Sequence, residues 1–171
     1  SDVYKRQGFG VVVQAYQKRT PYTIDHLADM ARRAGRRLQV RLVKGAYWDA
    51  EIKRAQIEGY PGYPVFTRKQ NTDVSYLACA KRLFTHADAI YPMFATHNAH
   101  TIAAVRSIAN GGVYEHQKLH GMGDDLYAEV VPADRLGLPC RVYAPVGSHE
   151  DLLPYLVRRL LENGANSSFV N

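Results

Sequence analysis

The sequence predicts an α/β fold with a parallel sheet, of the kind that closes into a (β/α)8 barrel. Five short runs rich in aliphatic and aromatic residues alternate with stretches of helical periodicity, an order that favours parallel strands joined by helices. Each run also ends in a polar or ionisable residue: Gln14, Lys44, Thr96 with His97, His120, and Tyr143. A (β/α) barrel gathers its functional site at the carboxyl ends of its strands, so these five ends predict one shared site.

The individual elements follow from the same patterns. The predicted strands are residues 11–16, 38–43, 89–95, 117–120 and 141–144. Apolar residues at helical spacing predict a first helix from Ile24 to Ala31, with Thr23 as its N-cap and Gly35 just past its end. Residues 76–84 and 102–109 continue the helical pattern, and residues 60–71 predict an irregular loop. A full barrel has eight strands, so we expect earlier strands to precede this stretch.

The final predicted helix carries two adjacent arginines. Asp151 is its expected N-cap, which places Pro154 in the tolerated first turn. Arg159 shares a face with Tyr155 and Glu162, and Arg158 lies one step of about 100° away. Burying such guanidinium groups is costly unless an anion meets them, so the pair indicates an anion site. The alternative interpretation is a surface pair beside Glu162.

Composition narrows the class of protein. Hydrophobic residues make up 46% of the 171, which is typical of a globular chain, and no apolar run reaches the length of about 20 that a membrane span needs. The two cysteines have no CxxC spacing, so we expect a reducing, cytoplasmic setting. The net charge is +6, but the basic residues are scattered. This favours solvated charge or a phosphate-bearing cofactor over nucleic acid.

The segment from Arg41 to Trp48 is the densest in candidate site residues. Arg41 and Val43 alternate with Leu42 and Lys44 across a strand, and a basic residue inside a small barrel needs an anion or an aromatic ring. Gly45 and Ala46 remove side-chain bulk, so a flat ligand can approach the backbone there.

The histidines indicate a second class of function. His97, His100 and His120 predict, as an alternative, a metal-dependent hydrolase on the same barrel, because imidazole is a common metal ligand. No carboxylate or cysteine accompanies them at ligand spacing.

Several long motifs resemble the proline dehydrogenase family. They are RLVKGAYWDAEIKRAQ, YPVFTRK, DVSYLACAKRL, FATHNAHT, LHGMG, RVYAPVG and YLVRRLLENGANSSFVN, in that order, from about residue 8 to residue 171. The resemblance implies a (β/α)8 barrel that binds FAD and oxidises L-proline to 1-pyrroline-5-carboxylate. Residues 8–171 match the C-terminal part of that barrel, whereas residues 1–7 match nothing in the family and are expected to be a non-native leader. Residues 8–171 alone are expected to be inactive.

The resemblance also assigns roles to individual residues. It implies FAD contacts at Gln14, Arg41, Val43, Lys44, Gly45, Ala46, Trp48, Thr67, Thr96, His97, Ser168 and Phe169. It implies that Arg158 and Arg159 hold the proline carboxylate, and that Tyr143, Leu119 and Glu162 form the wall around the substrate ring. Arg41 and Tyr143 are the expected catalytic residues. The implied partners are a quinone or other electron acceptor and a fused aldehyde dehydrogenase domain, with possible peripheral membrane contact of a cytoplasmic protein.

Overall fold

The computed structural model describes the backbone of residues 9–167 and the side chains of residues 9–159. Five strands and six helices alternate along this part of the chain. The strands are β1 (Gly10–Gln14), β2 (Leu38–Val43), β3 (Ile90–Ala95), β4 (Glu115–Leu119) and β5 (Cys140–Tyr143). The helices are α1 (Thr20–Arg33), α2 (Trp48–Ile57), α3 (Lys69–Thr85), α4 (Ala99–Ala109), α5 (Asp124–Val130) and α6 (His149–Ser167). All five predicted strands are therefore present, to within two residues at each end.

The five strands form one sheet in the order β1-β2-β3-β4-β5, and every neighbouring pair is parallel. Crossovers between parallel strands are right-handed almost without exception. When strand order follows chain order, such crossovers place every connecting helix on the same face of the sheet, as in a (β/α) barrel. The α/β fold with parallel strands is confirmed.

Residues alternate between the two faces of the sheet. Val40, Leu42 and Phe94 are fully buried in the main core, where they pack against helices α1, α3 and α4. Arg41 lies between two of these residues and projects to the opposite face, which we call the inner face. In the register of the sheet, Arg41 pairs with Met93 of β3, and Met93 pairs with Glu115 of β4. The inner face therefore carries the ionisable side chains of Arg41 and Glu115.

Two helix starts differ from the sequence prediction. Helix α1 begins at Thr20 rather than after Thr23, because Pro21 in the first turn has its φ preset for a helix. Helix α6 begins at His149, and the backbone N–H of Asp151 donates to Oγ of Ser148 at 3.3 Å. Ser148 rather than Asp151 therefore caps α6, which places Pro154 inside the helix instead of in its first turn.

The predicted 60–71 loop is shorter than expected, because α3 begins at Lys69. Among the described residues, no helix is both long and apolar enough to cross a membrane.

A chain of ion pairs joins α1 to the end of α3. Asp25 of α1 accepts hydrogen bonds from the guanidinium of Arg82 and lies 2.9 Å from Nε2 of His86. Arg32 bridges Nδ1 of His86, at 3.1 Å, and the carboxylate of Asp88, at 2.7 Å. The hydrogen bonds from Arg82 are the main reason that the pKa of Asp25 falls to about 2.

The depressed pKa of Asp25 predicts a pH-dependent contribution to stability. A carboxylate with a lowered pKa stabilises the fold above its unfolded pKa, and that contribution is lost as the pH falls towards 2. Asp25 is 36% exposed, so we expect Asp25→Asn to cost only about 1 kcal/mol at neutral pH. Thermal unfolding measures this difference in stability. It is carried out on the longest natural polypeptide that contains this sequence, which we call the parent polypeptide. The gap between wild type and variant should close near pH 2, and a gap unchanged from pH 7 to pH 2 would contradict the assignment.

Candidate active site

The carboxyl edge of the sheet brings the predicted strand-end residues together. Because β1 to β5 are parallel, all of their carboxyl ends lie along this edge. The edge holds Gln14 and Val43, which are aligned across β1 and β2, and Leu119 and Tyr143, which are aligned across β4 and β5. Lys44, Thr96, His97 and His120 directly follow their strands.

Arg41 and Tyr143 contact each other across the inner face. The guanidinium carbon of Arg41 lies 4.7 Å from the centre of the Tyr143 ring, within cation–π range. Burial raises the pKa of the Tyr143 hydroxyl, and the nearby charge of Arg41 partly opposes that rise. Nε of Arg41 is buried and has no hydrogen-bond partner among the described residues. Leaving such a donor unsatisfied costs free energy, which indicates a place for an acceptor on a ligand.

Arg158 and Arg159 of α6 are held by two different aromatic rings. The guanidinium carbon of Arg158 lies 5.5 Å from the centre of the Tyr47 ring, and that of Arg159 lies 5.1 Å from the centre of the Tyr155 ring. Tyr47 belongs to the turn between β2 and α2, so its contact with Arg158 joins α6 to that turn. An aromatic face attracts a guanidinium without neutralising its charge, so these two ring contacts leave the charge of each group in place.

A pocket of about 590 Å3 opens beside the turn between β2 and α2. Six of the sequence-predicted site residues line it: Lys44, Gly45, Ala46, Trp48, Thr67 and Arg158. The indole Nε1 of Trp48 donates to the backbone oxygen of Phe66 at 2.8 Å, which ties α2 to the loop that precedes α3. The pocket therefore combines cationic groups, aromatic rings and a backbone turn without bulky side chains.

Among the described residues, six further predicted residues lie along the sheet edge and do not line this pocket: Gln14, Val43, Thr96, His97, Leu119 and Tyr143. Thr96 and His97 make internal contacts. Oγ1 of Thr96 accepts from the backbone N–H of Asn98 at 3.1 Å, and Nε2 of His97 accepts from the backbone N–H of Leu119 at 3.3 Å. Burial is the main reason that the pKa of His97 is lowered, so its ring is suited to this acceptor role at neutral pH.

The metal-dependent alternative is not supported. His97 lies in the loop after β3 and its Nε2 is committed to Leu119, whereas His100 lies within α4 and is exposed. Among the residues with described side chains, no group of three or more histidine, cysteine, aspartate or glutamate residues is placed to hold a metal ion.

Several pocket residues were not predicted from the sequence. Tyr16, Tyr47 and Asp73 all line the pocket. Asp73 is joined to Lys44 and to Lys69, at 2.6 and 2.8 Å, so Lys44 already has an anionic partner within the protein. Three predicted residues lie beyond what the structure describes: Ser168 and Phe169 entirely, and Glu162, of which only the helical backbone is described.

Tyr16 and Gly45 explain the shape of the turn between β2 and α2. Tyr16 is 3% exposed, and burial is the main reason that the pKa of its hydroxyl rises to about 12. Its ring lies flat against Gly45, so that a Cβ added at Gly45 would come within 2.5 Å of Cγ of the ring. Gly45 also has a φ of +137°, which side-chain-bearing residues rarely adopt.

These two constraints predict the effect of Gly45→Ala. We expect the variant to lose about 2 kcal/mol or more of stability, from backbone strain and from the clash with the buried ring of Tyr16. Gly59→Ala is the matched control, because Gly59 has a φ of +63° with nothing within 4 Å of an added Cβ. Thermal unfolding of the two variants of the parent polypeptide measures how much more the φ of +137° and the contact with Tyr16 cost than an open left-handed position. Equal losses at Gly45 and Gly59 would contradict this prediction.

The fold and this edge define an α/β protein of the barrel type, with cationic groups gathered at the carboxyl ends of its strands. The sequence profile of the family described as proline dehydrogenase matches residues 1–171, including residues 1–7, which were expected to match nothing in the family. The chain belongs to the proline dehydrogenase family. It is 66% identical to the bifunctional protein PutA of Klebsiella aerogenes, over 96% of this chain and 13% of that protein. It is 31% identical to the mitochondrial proline dehydrogenase 1 of Caenorhabditis elegans, over 89% of this chain and 26% of that protein.

Solved structures agree with the sequence comparison. A crystal structure of Bradyrhizobium japonicum proline utilization A (PutA) superimposes with a TM-score of 0.87 at 59% identity. The superposition covers 96% of this chain and 17% of that one. The chain thus spans about 13% of the length of the PutA relatives from enteric bacteria that it matches.

Proposed function

We propose that residues 8–171 form the C-terminal part of a (β/α)8 barrel that oxidises L-proline to 1-pyrroline-5-carboxylate with FAD as cofactor. The observation that carries this proposal is the set of three guanidinium groups, of Arg41, Arg158 and Arg159, held on aromatic rings near one edge of the sheet. A substrate with a carboxylate and a cofactor that gains negative charge on reduction both need such groups. Family membership supports the reaction class.

The residues present fit FAD. The pocket beside the turn between β2 and α2 offers the ammonium groups of Lys44 and Lys69 to oxygens of the cofactor, and the Trp48 ring to its flat portion. The buried Nε atoms of Arg41 and Arg158 have no hydrogen-bond partner among the described side chains, as expected of donors reserved for a ligand. The proposed cofactor contacts are Gln14, Arg41, Val43, Lys44, Gly45, Ala46, Trp48, Thr67, Thr96, His97, Ser168 and Phe169.

FAD, when bound, would supply a hydride acceptor for the two-electron oxidation in which proline loses a hydride from C5 and a proton from its nitrogen as the C=N bond forms. The protein orients the substrate for this step. Arg158 and Arg159 hold the proline carboxylate, because their planar forks match its two oxygens. Tyr143, Leu119 and Glu162 enclose the substrate ring and exclude water. Arg41 stabilises the negative charge that develops on reduction.

The wider setting of the reaction is also a proposal. The name of the Klebsiella relative describes a bifunctional protein, which supports a parent polypeptide with a fused aldehyde dehydrogenase domain. A quinone or another acceptor would take up the electrons, in a cytoplasmic protein with peripheral membrane contact. The scattered basic residues do not support nucleic-acid binding by this segment.

A direct test uses the purified parent polypeptide. We expect it to be yellow, with flavin absorbance that bleaches when L-proline is added without an electron acceptor. The product should react with a reagent that traps cyclic imines and does not react with proline. Absence of flavin, or flavin that proline does not bleach, would refute the proposal.

A further inference from the structure

Asp73 links two lysines that line the same pocket. One carboxylate oxygen lies 2.6 Å from Nζ of Lys44, and the other lies 2.8 Å from Nζ of Lys69. Lys44 follows β2, whereas Lys69 and Asp73 belong to the first two turns of α3. Both oxygens of Asp73 are therefore engaged by cations from two different walls of the pocket.

The burial of Lys44 gives this contact its importance. Only 16% of the Lys44 side chain is exposed, and an ammonium withdrawn from water needs an anionic partner. Burial raises the pKa of Asp73. The hydrogen bonds and charges of Lys44 and Lys69 lower this pKa by more than burial raises it, so its net shift is downward. The carboxylate is consequently ionised at neutral pH and supplies the anion that Lys44 requires.

We infer that Asp73 is a built-in counter-anion, which occupies the place on Lys44 and Lys69 that an anionic or carbonyl oxygen of the cofactor takes on binding. The inference rests on the proposed function, because FAD supplies those oxygens through its pyrophosphate or its flavin ring. The cofactor and the carboxylate then compete for the same two ammonium groups. Asp73 thereby limits the affinity of the pocket for oxygen-bearing ligands and keeps Lys44 paired in their absence.

The pocket offers a matched control for this competition. Asp49 lines the same pocket and carries the same charge, but among the described residues no hydrogen bond or ion pair joins it to Lys44 or Lys69. Removing either carboxylate raises the net charge of the pocket by one. Only the removal of Asp73 also frees the two ammonium groups, so the pair of variants separates general charge from direct competition.

The test compares FAD binding by wild type, Asp73→Asn and Asp49→Asn in the parent polypeptide after its flavin has been removed. Quenching of flavin fluorescence gives the dissociation constant. We expect Asp73→Asn to tighten binding on the order of tenfold at low ionic strength, less at high salt, and Asp49→Asn to change it by less than about threefold. Riboflavin, which lacks phosphate, distinguishes the source of the oxygens. If only FAD binds more tightly, the pyrophosphate supplies the oxygens that meet the lysines. If riboflavin also binds more tightly, the flavin ring supplies them.

Two outcomes would overturn the inference. One is a folded Asp73→Asn protein that binds FAD no more tightly than wild type. The other is equal tightening by Asp49→Asn. If Asp73→Asn does not fold, Asp73→Ser is measured in the same way. If neither variant folds, the role of Asp73 is to hold α3 against the end of β2, which also contradicts the inference. A wild-type protein without affinity for FAD would refute the proposed function itself, which distinguishes the two failures.

Discussion

Replacing Arg41 with methionine in the parent polypeptide is expected to slow the reduction of bound flavin by proline about a hundredfold. Arg41 lies on the inner face, 4.7 Å from the centre of the Tyr143 ring, and its Nε is buried with no hydrogen-bond partner among the described residues. Removing one positioned group that stabilises charge in a transition state costs on the order of 3 kcal/mol, which corresponds to that factor. Stopped-flow absorbance of the flavin measures the reduction step directly.

Arg37→Met is the matched control for this prediction. Arg37 directly precedes β2, and its guanidinium carbon lies 5.5 Å from the centre of the Tyr91 ring, so it makes the same kind of cation–π contact at the opposite end of the same strand. We expect its loss to leave the reduction rate within about twofold, because it is far from the carboxyl edge. If the Arg41 variant keeps both full flavin content and normal reduction kinetics, Arg41 does not act beside the flavin.

The strands were predictable because their residue pattern reflects a physical alternation. In β2, Val40 and Leu42 are fully buried while Arg41 projects to the inner face, and this two-residue period is visible in the sequence. Two helices lacked such a signal. Helix α2 buries only Ala55, and α5 has seven residues, so neither shows the apolar stripe by which helices are predicted.

The residue pattern alone predicted the strand-end residues and the arginine pair of α6, but not the contacts between distant parts of the chain. Lys44 directly follows β2, so its place at the carboxyl edge could be inferred from the chain alone. Asp73 could not be inferred, because beside Lys69 it has the spacing of an ordinary surface ion pair on a helix. Its contact with Lys44 spans 29 positions and depends on how α3 packs beside β2. The contact of Arg158 with Tyr47 likewise joins distant parts of the chain.

Replacing Arg158 or Arg159 with methionine is expected to raise the KM for proline roughly ten- to a hundredfold. In the proposed site, each substitution would remove a charge-assisted hydrogen bond to the substrate carboxylate, worth about 1.5–3 kcal/mol, and about 1.4 kcal/mol corresponds to a factor of ten. The two arginines are held on separate rings, of Tyr47 and Tyr155, so loss of one leaves the other in place and the single variants should keep partial affinity. Flavin content should change less than KM, and steady-state kinetics with a dye acceptor measure the effect.

Pyrrolidine, which is proline without its carboxylate, provides the control within the same proteins. If the arginines act on the carboxylate, pyrrolidine binds the wild type poorly and loses little more in either variant, because the missing partner is already absent from the ligand. The difference between the two ligands therefore isolates the carboxylate contact from any general disturbance of α6, in the manner of a double-mutant cycle. Arginine variants that keep the wild-type KM for proline, or a wild type that binds pyrrolidine as tightly as proline, would show that the pair is surface charge. In that case the substrate carboxylate would not be the anion that these two arginines bind.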